Sequence, residues 1–148
     1  MALVGNILWF VFIGLWSGLG WWLLGIVCYI TVVGIPFGVA CFRISRFAFF
    51  PFGKDLVPAE MVGEKAVAGS LLGNILWVII FGLWISLGYA FSGIALCCTI
   101  IGIPWGIACF RLAGASFAPL GKRVVSMDVA KVARQRFAQN QLDKMTAK

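Results

Sequence analysis

The 148-residue chain is 62% hydrophobic and only 11% charged, with twelve Lys and Arg against five Asp and Glu, no histidine and a mean hydropathy of +1.02. A soluble domain of this size needs more polar surface than that. The five cysteines lack zinc-site spacing and have no histidine to help them, so they read as small buried hydrophobes.

The opening Met1-Ala2-Leu3-Val4 has no basic stretch of the kind secretory signals use, so the first apolar run is expected to act as its own insertion signal. Residues 1–42 and 66–110 carry no charged side chain. A 42-residue helix would be about 63 Å long, twice the roughly 30 Å hydrocarbon core. Each run therefore predicts two crossings, at 3–18 and 21–43 and again at 71–87 and 89–111. Turns are expected near "SGLGWW" (17–22) and "ISLGYA" (85–90), with Trp21, Trp22 and Tyr89 in an outer aromatic belt.

Asn6, after Gly5, opens the first helix. Its amide would cap or bond another helix, or would line a pore as a polar ring. Next comes "TVVGIPFGVACFR" (31–43), with Thr31, Gly34, Pro36 and Arg43 as the residues of interest. A proline inside a helix removes a hydrogen bond. Two readings follow: a kinked, closely packed helix, or a broken helix whose N–H groups line an ion path. Gly34 and Gly38, four apart, put glycine on one face for close helix contact. Arg43 either anchors the helix end to phosphates or forms part of an arginine ring that favours anions.

Residues 47–54 stay apolar up to a turn at Pro51-Phe52-Gly53. A linker, 58–72, follows. Then the pattern returns at an offset of 68 residues: "GNILW" at 73–77, "TIIGIPWGIACFR" at 99–111, and Pro119, Gly121 and Lys122 for Pro51, Gly53 and Lys54. Between 5–57 and 73–125, 26 of 53 positions are identical without a gap. The chain divides into a first repeat (1–57), the linker (58–72), a second repeat (73–125) and a basic tail (126–148). Asn74, Thr99, Gly102, Pro104, Gly106 and Arg111 repeat the candidates of the first copy. Val125, Val129, Val132 and Arg136/Phe137 fall near helical spacing after Ser126, so the tail predicts a basic amphipathic helix that lies on lipid, packs on another subunit, or stays solvated and frays.

With two crossings per copy, all twelve Lys and Arg lie on the side of the N-terminus. By the positive-inside rule that side is the cytoplasm. The fold expected is all-α: four transmembrane helices as two parallel-oriented hairpins, N-in and C-in, with a cytoplasmic tail helix.

All five acids lie in the loop or the tail, so no intramembrane acid can relay protons or hold a cation. There is no nucleophile–base pair in the apolar runs, no phosphate loop and no dinucleotide fingerprint. No catalytic residue, metal site, cofactor or nucleic-acid partner is expected.

The paired "GIP(F/W)G(V/I)ACFR" motifs, with "GNILW" and "P(F/L)GK" in both halves, resemble the bacterial inner-membrane YccF family over nearly all of residues 3–126. The resemblance implies a multi-pass inner-membrane protein of two repeated domains and supplies no catalytic residue. The function expected is a small homo-oligomeric channel preferring an inorganic anion, with Asn6, Thr31, Gly34, Pro36, Arg43 and their counterparts along the path. The alternative is a non-conducting scaffold or regulatory subunit whose basic face meets anionic lipid or a partner protein.

Overall fold

The computed structural model describes residues 2–65 and 69–147. In the first copy, α1 (Ala2–Trp9) and α2 (Leu15–Ile30) join through one π-helical turn, Phe10–Gly14, into one apolar rod, Leu3–Ile30. A tight turn at 31–34 leads into α3 (Ile35–Phe49), and then into β1 (Lys54–Pro58). The second copy repeats this with α4 (Ser70–Trp77), a π turn at Val78–Gly82, α5 (Leu83–Cys97), α6 (Ile103–Phe117) and β2 (Lys122–Ser126). A tail helix, α7 (Met127–Thr146), closes the chain.

The helix bounds thus differ from 3–18, 21–43, 71–87 and 89–111: each copy has one continuous apolar rod of 28 residues that returns through a 15-residue helix. Residues 17–22 and 85–90 do not turn. Gly18 is buried against the ring of Phe49, so this glycine serves packing and the helix runs on. The reversals occur at the Thr-x-x-Gly stretches instead. Each rod buries one narrow stripe: Trp9, Gly14, Gly18, Trp21, Gly25 and Cys28 in the first. The five-residue step from Trp9 to Gly14 spans the π turn. Without that extra residue the stripe would rotate off the core. The opposite faces expose Leu3, Val4, Phe12, Trp16, Leu71, Ile79 and Trp84.

Two strands were not expected; they follow the return helix of each copy. They form an antiparallel ribbon in which Leu56 faces Val124, its own counterpart 68 residues on. Asp55 faces Val125 and Val57 faces Arg123. Such a register makes a pseudo-twofold axis pass through the ribbon centre. The same symmetry governs the rods. Tyr89, the counterpart of Trp21, accepts from the Trp21 indole at 2.9 Å and shares a 2.5 Å hydrogen bond with Ser17. Phe37, just past the first turn, stacks on Trp77 near the start of the second rod, with centroids 5.3 Å apart. Pro104, just past the second turn, shares a cavity with Pro51, Phe52 and Gly53. Each hairpin's turn therefore lies beside the other's open end, and the hairpins run in opposite directions instead of side by side. The core between rods and ribbon is α3 and α6, with Cys41, Ile44, Phe47, Cys109 and Leu112 buried. α7 packs on the ribbon side.

Candidate functional site

The thirteen-residue motif builds a turn. Thr31 leaves helical geometry (φ −87°, ψ 114°) and its hydroxyl donates to the Cys28 carbonyl at 2.9 Å. The Gly34 N–H donates to the Thr31 carbonyl at 2.7 Å. In the second copy the Thr99 hydroxyl donates to Leu96 at 2.9 Å and accepts from the Gly102 N–H at 3.1 Å. A Cβ on Gly34 would strike the Cys28 carbonyl, and one on Gly102 the Leu96 carbonyl. Only glycine fits that approach.

Pro36 and Pro104 occupy the first turns of α3 and α6, where a missing N–H costs nothing. They begin helices and do not break them, which corrects the reading of a proline-broken crossing. Gly38 lies under the Tyr29 ring, with the Gly25 carbonyl 3.0 Å from an added Cβ; Gly106 lies against Cys97 and 2.9 Å from the Gly93 carbonyl by the same measure. These glycines set the distance between rod and return helix.

Asn6 and Asn74 hold the return chain. The Asn6 amide donates to the Phe52 carbonyl and accepts from the Phe52 N–H, both at 3.0 Å. Asn74 does the same with Leu120, at 3.3 and 3.0 Å. Neither is a free polar ring. Trp9 and Trp77, which the sequence did not single out, donate their indoles to the carbonyls of Ala48 (2.7 Å) and Ser116 (2.8 Å). Their signal was present, since each closes a repeated "GNILW".

The arginines part company. Arg43 lines a cavity of about 560 Å³ with Arg46 from α3, Lys54 from β1, and Arg123 and Ser126 from β2. Arg123 is paired with Glu64; among the described residues no acid is paired with Arg43, Arg46 or Lys54. Lys54 stands 5.9 Å over the Phe50 ring. Arg111 instead faces Asp55, with 3.9 Å between charged atoms, and Arg134 of α7 reaches the other Asp55 oxygen at 2.8 Å. The Lys122 ammonium donates to the Gly114 carbonyl at 3.3 Å, and burial pushes its pKa below the usual lysine range. Among the described residues no group of His, Cys, Asp and Glu could hold a metal ion.

The family model for the YccF inner membrane component domain matches this chain twice, at residues 4–54 and 72–122. The Inner membrane protein YccF of Escherichia coli K12 is 35% identical over 97% of this chain and 100% of its own length. The protein of the same name from Shigella flexneri matches equally. No solved structure matches. The chain belongs to the YccF family of inner-membrane proteins and carries its domain in duplicate.

Proposed function

We propose that this YccF-family chain is a non-conducting structural or regulatory subunit, seated in the inner membrane by its two rods and presenting the ribbon and α7 to the cytoplasm. One observation carries this reading. The polar side chains that an ion path would need inside the apolar layer are spent on the protein's own backbone: Thr31, Asn6, Thr99 and Asn74 all bond carbonyls or N–H groups of their own copy.

Ribbon and turns also differ in polarity. The ribbon end carries Asp55, Glu64, Arg123 and α7, while the turn tips are apolar, with Val32, Ile100 and Ile101 exposed at 81%, 88% and 82%. Polar backbone in hydrocarbon must be satisfied internally, and the turns bond themselves. Gly5 lies against Phe52, two residues before the ribbon, which supports a cytoplasmic place for the start of the first rod.

Planar-bilayer recording from purified protein in a potassium chloride gradient tests the reading. Silence from folded protein is expected. A current reversing near the chloride equilibrium potential, and shifted by Arg43→Glu, would replace it with a homo-oligomeric anion pore.

A further inference from the structure

The duplication has left one cationic cavity and placed an acid at the equivalent position in the other copy. Across the 68-residue offset Arg43 corresponds to Arg111 and Lys54 to Lys122, but Arg46 corresponds to Gly114 and Arg123 to Asp55. In the second copy, then, the place of an arginine is taken by an acid, which faces Arg111 and is held by Arg134 of α7. The one lysine there is half-buried and bonded to Gly114. On the other side, four cations from α3, β1 and β2 line about 560 Å³ of space, and among the described residues only Arg123 has an acidic partner.

Like charges lining one cavity repel, and among the described residues no acid is paired with Arg43, Arg46 or Lys54 to offset that. Guanidinium groups match phosphate oxygens in bidentate geometry, and the Ser126 hydroxyl on the rim can donate one bond more. We infer that the cavity bounded by Arg43, Arg46, Lys54 and Arg123 binds one phosphate-bearing anion per chain, and that the equivalent place in the second copy binds none. The phosphate can belong to an anionic lipid headgroup or to a free anion. Phe52, on the cavity wall, leads back to the apolar rods through Gly5 and so gives a headgroup an approach from the lipid side. This inference does not depend on whether the chain conducts.

Binding is read by native mass spectrometry and titration on full-length protein in nanodiscs. One set of nanodiscs is phosphatidylcholine alone, titrated with inorganic phosphate; the other contains phosphatidylglycerol. Saturable binding of one equivalent per chain is expected in at least one arm, and the arm that responds identifies the source. Arg43→Gln with Arg46→Gln, and separately Lys54→Gln, should each weaken it roughly tenfold or more. Lys131→Gln with Lys144→Gln on α7 removes the same charge away from the cavity and should leave it unchanged. No saturable binding in either arm overturns the inference. So do two equivalents per chain, or equal loss in the α7 control, since both would mark diffuse attraction to the whole basic face.

Discussion

Arg43 and Arg111 close the same thirteen-residue motif, yet they sit in different electrostatic surroundings. Arg111 has Asp55 at 3.9 Å, whereas Arg43 shares a cavity with Arg46, Lys54 and Arg123. Compare Asn6 with Asn74, or Trp9 with Trp77: there the two copies make the same bonds to the same backbone positions. After duplication, side chains that satisfy the backbone were kept in both copies. Residues around the ribbon were free to diverge, because the pseudo-twofold axis places 55 and 123 at equivalent places in one assembly and lets a single acid serve one side only.

The shared half of that comparison predicts equal losses. Gly34→Ala and Gly102→Ala each force a Cβ into a carbonyl, and each should cost about 3 kcal/mol or prevent insertion outright. Thermal melting in detergent checks this; a large loss in one copy only would mean that one turn is dispensable. Asn6→Ala and Asn74→Ala each remove two hydrogen bonds to part-buried backbone and should each cost about 1–3 kcal/mol.

The diverged half predicts inequality at equivalent positions. Asp55 is buried, with two arginines and the Leu56 N–H on its carboxylate. Arg134 is half-exposed, which screens that pair, so Asp55→Asn should cost about 1–2 kcal/mol and loosen α7. Arg123→Gln breaks a pair that opens to solvent, with Glu64, and should cost less than about 1 kcal/mol. Limited proteolysis of α7 separates the two: faster cutting is expected for Asp55→Asn alone. Equal cutting would mean that α7 is not held through Asp55.

The repeat and the apolar helices were legible because each is a local or periodic property. The turn position was not. "SGLGWW" reads as a turn and "TVVGIP" as a kink or break inside a crossing, and only packing shows that Gly18 lies against Phe49 while Gly34 lies against Cys28. The π turns were hidden because a one-residue insertion leaves hydropathy unchanged. The ribbon was hidden for another reason: "KDLVP" and "KRVVS" become strands only by pairing with each other across 68 residues. The cavity inherits that blindness, since Arg43 and Arg123 meet only once the ribbon forms. One signal was readable, namely the positions where two otherwise matched copies differ in charge, Arg46 against Gly114 and Asp55 against Arg123.

The smallest expected effect concerns Lys122 of the second copy. Burial penalises the charged form of Lys122, so its pKa in the folded chain lies below the ordinary 10.5. Over the interval between those two values the unfolded chain binds more protons than the folded one, so stability rises with pH there. At lower pH, where both states are protonated, the penalty is present in full and the slope vanishes. Melting temperature followed upward in pH toward the ordinary lysine value should therefore show a shallow rise. Lys122→Met should flatten it. If Lys122→Met keeps the slope, the charge of Lys122 is already relieved by solvent, and the second cavity is more open than its bond to Gly114 implies.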